Sequence, residues 1–316
     1  MRFDTTGGNR PDGAVTVSAG ALPQEFDPQT ASWLVAVDTL GDLRPWGEAG
    51  AGPALALGQA EWDPATGDSI VLELDSATVA LLGDTLQAGP GVRYEVLTPG
   101  VRMNLLSSDL RLYARPNIHL DTLVTLNARP IAETFIYDPF PEPEQGGIRV
   151  GGAPSWRTVL TFDVPAELPG TPAVCQRVQC PIVITPGRLN NATLTLTTAQ
   201  SEAAFQPSDS LFVDARAVLA PELLPKSPLG TSLVGTPGVP IGPDGFGEVA
   251  GQTVTIPVTT FVRALFDGSG EKVPDLALLT PLEPLSIGFG TFVGPGLPGA
   301  PRLRLILTVA DTVEIS

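Results

Sequence analysis

Two cysteines, Cys175 and Cys180, are the side chains of this sequence best suited to covalent chemistry. No other cysteine competes with them, so their close spacing predicts a disulfide that closes a small loop in an oxidising compartment. Two free thiols and a metal site are the alternatives. A structural zinc ion needs four ligands, and the only histidine, His119, is distant in sequence. We therefore expect a disulfide and no metal.

Nucleophilic catalysis by a Ser-His-Asp triad would also have to use His119. That residue follows the first of two repeated parts of the chain, where an ordinary surface histidine is the simpler interpretation. The 34 acidic residues provide many pairs of carboxylates, but none has the aromatic-flanked setting typical of a glycosidase. The sequence thus predicts no catalytic residues and no cofactor, and a protein that is not an enzyme.

Two short acidic loops rich in glycine, at residues 63–68 and 243–248, are candidates for calcium. Neither has the ligand spacing of an EF-hand. Turns are therefore the favoured interpretation, and a bound calcium ion is the alternative.

Tryptophan rings are common platforms for stacking against sugars. Trp46 and Trp62 fall in a long loop of the first half, and Trp156 directly precedes a predicted strand. Exposed to solvent, these three would indicate carbohydrate binding. The alternative is that they anchor loops. Trp33 aligns with Phe212 in the internal repeat and is predicted to lie in the core.

The charge balance limits the classes of partner. With 18 basic and 34 acidic residues the net charge is −16, so phosphate backbones and anionic lipids should be repelled. We expect no nucleic-acid partner. No apolar stretch reaches the roughly 20 residues that span a bilayer, so membrane insertion is not expected either. The first residues do not resemble a signal peptide, so an exported protein would need a signal that this sequence lacks.

Short runs rich in Val, Leu, Ile and Thr alternate with loops that hold most of the 34 glycines and 33 prolines. Many runs show the period-two alternation of strands, whereas sustained helical periodicity is absent. Pro257 lies inside one run and predicts a strand at a sheet edge. The hydroxyl of Thr259 or Thr260 is expected to cap one helical turn that carries Phe261, Leu265 and Phe266 onto one side.

The chain also repeats itself. Val15 and Val17 match Leu194 and Leu196 at an offset of 179 residues. Further matched pairs keep the same order along the chain: residues 68–84 with 252–268, 97–99 with 279–281, and 110–112 with 303–305. Two copies of one unit explain this register.

We predict an all-β fold of two tandem jelly-roll-like β-sandwich domains. The first module spans residues 1–116 and lacks its opening strands. Residues 117–132 form a linker or an exchanged strand, and the second module spans residues 133–316. Relative to the first, the second carries a 20-residue insertion near 170–190 that contains the cysteines.

Part of the second module resembles the DNRLRE-type modules, a β-sandwich family related to the disaggregatase repeats and to carbohydrate-binding module family 96. The resemblance rests on three segments: the Gly-containing Ile148-Arg149-Val150-Gly151, the following Arg157-Thr158-Val159-Leu160-Thr161-Phe162-Asp163, and Pro301-Arg302-Leu303-Arg304-Leu305. Residues 254–268 mirror a further strand and turn, but Leu265 or Phe266 replaces the usual tryptophan. The resemblance implies secreted or surface modules that hold other components in place, some of which bind polysaccharide.

A module without its opening strand would leave an open edge. Either the sequence is a shortened version of a longer protein, or a strand from a neighbouring copy fills the edge. The alternating tail supplies one candidate donor, with Val309, Asp311, Val313 and Ile315 on one face. Residues 120–126 supply another. The leading hypothesis is therefore a non-enzymatic extracellular or cell-surface structural protein that polymerises with its own copies into a filament or array. A secreted tandem carbohydrate-binding protein and an ancillary fragment of a larger surface enzyme are the alternatives.

Overall fold

The structure, a computed structural model, describes residues 1–5, 11–83, 91–99, 101, 103–138, 146–152, 155–202, 205–268, 273–281 and 286–309. Strands dominate it, which confirms the prediction of an all-β chain. The chain divides into two compact units, Met1–Pro139 and Phe140–Ser316.

Unit 1, residues 1–139, contains nine strands and one helix among its described residues. They are β1 Arg2–Phe3, β2 Val15–Leu22, β3 Val35–Thr39, β4 Asp42–Pro45, β5 Leu55–Trp62, α1 Ser76–Gly83, β6 Gly91–Val96, β7 Leu105–Ser107, β8 Leu110–Ala114 and β9 Val124–Ala128. Its largest sheet has the order β5-β2-β6, and three further ladders pair β1 with β7, β3 with β4 and β8 with β9.

Unit 2, residues 140–316, is built from longer sheets. Its described elements are β10 Ile148–Gly151, β11 Thr158–Thr161, β12 Glu167–Leu168, α2 Pro172–Cys175, β13 Ile182–Val183, β14 Leu189–Ala199, β15 Leu211–Ala217, β16 Val239–Ile241, β17 Thr253–Pro257, α3 Thr259–Ala264, β18 Asp275–Leu279, β19 Phe289–Phe292 and β20 Arg302–Leu307. Short 3₁₀ turns at Pro221–Leu223 and Pro243–Phe246 join some of them.

Two sheets enclose the core of unit 2. One has the order β10-β19-β14-β17 with β20 also paired to β14, and the other has the order β11-β18-β15-β16. Along β14 the residues alternate: Leu194 and Leu196 are buried in the core, while Thr193, Thr195 and Thr197 face outward. This period-two pattern is what fixes the face of a strand. The jelly-roll connectivity predicted for both domains remains a prediction.

The structure tests the prediction around Pro257 directly. The strand that contains it, β17, ends the sheet order and is an edge strand, as predicted. Helix α3 follows and buries Phe261 and Leu265 in the core. The capping role predicted for Thr259 or Thr260 is wrong, because no side chain caps the start of α3. The Thr259 hydroxyl instead accepts a hydrogen bond from the backbone N–H of Ala192 at 2.9 Å. The threonine therefore fastens α3 to β14.

The predicted insertion near 170–190 is a small hairpin closed by a disulfide. Strands β12 and β13 pair with each other, and Cys175 is bonded to Cys180 between them. Gly170 lies against the bridge, where a Cβ atom would collide with both sulfur atoms. The disulfide predicted from the cysteine spacing is thus confirmed.

The repeat is visible in both units, but strand pairing differs between them. Strands β2 and β14, which contain the matched Val15, Val17, Leu194 and Leu196, are central in their sheets, and a helix occurs at the matched position in each unit. The stretch of unit 1 matched to β17 is not a strand. Residues 117–132 are also not a simple linker, because β9 within them forms a hairpin with β8.

A buried carboxylate ties the four-stranded sheet of unit 2 to the segment around Ser232. Asp214 of β15 is only 1% exposed. Its oxygens accept hydrogen bonds from the Ser232 hydroxyl at 2.6 Å, the backbone N–H of Ala215 at 2.8 Å and Nε of Arg216 at 2.8 Å. Three donors satisfy a charge that would be costly to bury alone.

Replacing Asp214 with alanine should therefore lower the free energy of unfolding of unit 2 by about 3 kcal/mol, because the Arg216 and Ser232 donors lose their acceptor. Native-state hydrogen exchange at β14 and β15 measures that free energy. Ser232→Ala removes the hydrogen bond to Asp214 and the oxygen that accepts from the Val234 and Gly235 N–H groups, but it leaves the charge pair. It should therefore cost less, about 1–2 kcal/mol. Equal effects of the two variants would contradict this account.

Candidate assembly surface

The β8–β9 hairpin of unit 1 has one entirely apolar face. Paired residues share a face in an antiparallel ladder, and the register places Leu110 opposite Ala128, Leu112 opposite Leu126 and Ala114 opposite Val124. The other face carries Arg111, Tyr113, Thr125 and Asn127. Leu126 is 54% exposed and Leu110 is 40% exposed. We call these six apolar residues the hairpin face.

Comparison with unit 2 shows why the hairpin face is uncovered. The strand matched to β8 by sequence is β20, which pairs with β14 and packs its leucines against the core. In unit 1 the corresponding central strand, β2, has β5 on one edge and β6 on the other. Since no edge of β2 is left, β8 pairs with β9 instead, and its leucines lie outside the cores of unit 1 formed by described residues.

A second uncovered feature is strand β6. It ends the β5-β2-β6 sheet, and none of the described strands pairs with its outer edge. Its residues Val92, Tyr94 and Val96 lie opposite Ala21, Ala19 and Val17 on the side of the sheet that holds the core. Even so, they are 37–40% exposed. An apolar, unpaired edge of this kind is a template for strand addition.

Apolar exposure is concentrated in unit 1. Of 24 large hydrophobic side chains that are exposed among the described residues, 18 belong to unit 1, although it is the shorter unit. Single exposed leucines are ordinary, but clusters on one strand face indicate a surface that another molecule covers.

Two of the predicted sugar-stacking residues are core residues of unit 1. Trp62 is 1% exposed, packs 4.5 Å from the Phe3 ring and donates its indole N–H to the Gly67 carbonyl. Trp46 is 7% exposed and donates to the Ser32 carbonyl at 2.8 Å. Both rings therefore anchor loops and have no open face for a sugar, which corrects the carbohydrate-stacking interpretation of these two residues.

Trp156 is partly exposed, and one of its faces is occupied. The Arg149 guanidinium lies 5.1 Å from the Trp156 ring and 4.4 Å from the Phe289 ring. Such a stack is a cation–π arrangement that holds the loop before β11 against the sheet. Trp33, predicted to be buried, is partly exposed and lies against Gly50, which has a positive φ of 79°.

The remaining candidates for chemistry lie in turns. The Asp63 carboxylate accepts a hydrogen bond from the backbone N–H of Ala65, and residues Pro243–Phe246 form a 3₁₀ turn. His119 lies in the loop between β8 and β9. Within the described ranges no three metal-binding side chains cluster together. None of the helices described there has the length and apolarity needed to cross a bilayer.

Of the four residues predicted for strand exchange in the tail, only Val309 belongs to the described part of the chain. Asp311, Val313 and Ile315 lie outside the described residues. Residues 120–126, the other predicted donor, form the end of the β8–β9 loop and part of β9.

Trp62→Ala should lower the stability of unit 1 by about 3–5 kcal/mol, the usual cost of truncating a buried tryptophan. Thermal unfolding and hydrogen exchange at β2 and β5 measure the loss. Trp156→Ala is the matched control, and exchange at β2 and β5 should not change with it. A Trp62→Ala protein as stable as the parent would show that the ring is not part of the core.

Comparisons with protein-family models, with curated proteins and with solved structures gave no match. The resemblance to DNRLRE-type modules therefore remains a prediction from the sequence. The surfaces of the two units are the observations from which a function can be argued.

Proposed function

We propose that this protein is a non-enzymatic structural subunit that assembles with its own copies through unit 1, as part of an extracellular or cell-surface filament or array. The observation that carries the proposal is the hairpin face. A two-stranded hairpin gains little stability alone and needs a layer against its apolar side. In unit 2 the matched strand, β20, packs against the core of its own unit. A second copy of the chain would supply the layer that covers the hairpin face of unit 1.

The β6 edge supports the same proposal by a different interaction. Its backbone can accept a strand from a neighbouring subunit, and Val92, Tyr94 and Val96 would be covered by the side chains of that strand. Backbone pairing would supply affinity, and the apolar face would fix the register. The segments proposed as donors are residues 309–316 and the strand β9.

The disulfide supports the proposed location. A bond between Cys175 and Cys180 persists most readily in an oxidising environment such as the cell exterior. A structural role there is also what the resemblance to surface modules implies.

Carbohydrate binding is the weaker proposal. It depends on three tryptophans, of which Trp46 and Trp62 are buried and Trp156 has one face against Arg149. No specific observation favours it over assembly.

The hairpin face can be tested with paired variants on opposite sides of one hairpin. Leu110→Lys with Leu126→Lys places two charges on the face, whereas Tyr113→Lys with Thr125→Lys places two on the other side. We expect the parent chain and the second variant to form oligomers in light scattering and negative-stain images. The first variant should need at least tenfold higher concentration, because each buried leucine contributes about 1.5–3 kcal/mol.

A parent chain that stays monomeric at high concentration would overturn the proposal. Equal assembly by both lysine variants would also overturn it. Because Leu110 and Leu126 are exposed in the single chain, lysine there should not unfold the protein, and thermal unfolding of each variant checks this.

Removing residues 309–316 tests the tail as donor. If the tail supplies the strand that β6 receives, the shortened chain should lose its oligomers, and a synthetic peptide of residues 309–316 should block assembly of the parent chain. A peptide of the same composition in scrambled order is the control, since it lacks the alternation. Unchanged assembly after truncation would exclude the tail and leave β9 as the proposed donor.

A further inference from the structure

The outward face of the five-stranded sheet in unit 2 carries hydroxyl groups and arginines. In register, Thr195 of β14 lies between Thr255 of β17 and Arg302 of β20, and Thr193 lies beside Arg304. The strand residues Thr255, Arg302 and Arg304 are exposed. Apart from Pro257 and Ile306, the exposed residues of β17 and β20 on this face are threonines and arginines, and none is acidic. We call this surface the arginine face.

The equivalent face of unit 1 carries two glutamates and one arginine, Arg93. By the repeat register Thr16 of β2 corresponds to Thr195. Thr16 lies opposite Glu61 of β5, and Ser18 lies between Gln59 of β5 and Glu95 of β6. Glu61 and Glu95 are exposed, although Glu95 is paired with Arg93 at 2.8 Å. We call this surface the glutamate face.

The two faces share matched central strands, β2 and β14, but their charged residues lie on flanking strands that the repeat does not match to each other: β5 and β6 in unit 1 and β20 in unit 2. Both units are net negative as a whole, since residues 1–139 contain 18 acidic and 8 basic residues and residues 140–316 contain 16 acidic and 10 basic residues. A positive patch in a chain with a net charge of −16 is a departure from the general repulsion between copies. The glutamate face offers it exposed carboxylates, those of Glu61 and Glu95, beside the matched central strand of unit 1.

We infer that the arginine face of one copy docks on the glutamate face of unit 1 in a second copy. This inference rests on the proposed function and gives the assembly a direction. Two different patches make a heterologous contact, and such contacts propagate into an open chain of subunits unless the rotation closes a ring. Docking joins unit 2 of each copy to unit 1 of the next.

The charges set the orientation of the contact, and other interactions supply most of its affinity. Exposed ion pairs contribute little individually and are screened by salt. Complementary charges instead accelerate association and disfavour wrong pairings, such as two arginine faces. The threonines of the arginine face have short side chains that allow two sheets to approach, and the hairpin face and the β6 edge are the proposed sources of apolar burial.

Charge reversal tests this inference. Arg302→Glu with Arg304→Glu reverses the arginine face, and Arg177→Glu with Lys226→Glu makes the same change in net charge on exposed loops of unit 2 away from that face. At low ionic strength we expect the first variant to assemble about tenfold more weakly than the second. The difference should vanish in 1 M salt, where the screening length is about 3 Å.

The decisive experiment restores opposite charges on the two faces. Gln59→Arg and Glu61→Arg, added to the Arg302→Glu and Arg304→Glu chain, reverse both faces together and should recover assembly in light scattering. Equal assembly by the two double variants, or no recovery in the quadruple variant, would overturn the inference while leaving the proposed function intact. If the parent chain does not assemble, both the proposed function and the docking inference are overturned. If only the hairpin-face variants weaken assembly, the docking of the charged faces alone is overturned.

Discussion

A β-strand has two edges, and the partners that fill them in each unit determine what is left on the surface. In unit 2 the central strand β14 has β17 on one side and β20 with β19 on the other, so the terminal strand joins the sheet and completes the core. In unit 1, β5 and β6 fill both edges of β2. The apolar strand β8 then cannot pair with β2 as β20 pairs with β14. Its uncovered leucines follow from this competition between strands rather than from any unusual composition.

The same constraint explains why the two units differ in their apolar exposure despite a common sequence pattern. Alternation of apolar and polar residues determines which face of a strand is apolar, but it does not determine which strand pairs with it. When the intended edge is occupied, the apolar face persists and must be covered by another element or another chain. Unit 2 meets this requirement within one chain, since Leu303, Leu305 and Leu307 of β20 pack against its core. Unit 1 does not meet it among the described residues.

Local chemistry in the sequence predicted several features correctly. A proline has no amide hydrogen to donate, so Pro257 placed β17 at an edge, and the isolation of Cys175 and Cys180 identified the disulfide. The sequence did not predict the features that depend on contacts between segments distant in the chain. The hydroxyl of Thr259 bonds to Ala192 of β14 rather than to its own helix, and the burial of Trp46 and Trp62 depends on contacts with distant segments. The hairpin face was signalled only by the alternation in residues 110–114 and 124–128, because its exposure depends on which strands flank β2.

Electrostatics and apolar burial impose different demands on the proposed self-assembly. A net charge of −16 disfavours close approach of copies at long range, which protects the exposed β6 edge and the hairpin face from indiscriminate association. The proposed contact needs local complementarity to overcome this repulsion, and the arginines of β20 and the glutamates of β5 and β6 would provide it. These charges lie on strands that flank the matched strands β2 and β14 but are not matched to each other. The sign of each face is therefore set independently of the matched core residues, such as Val17 and Leu196.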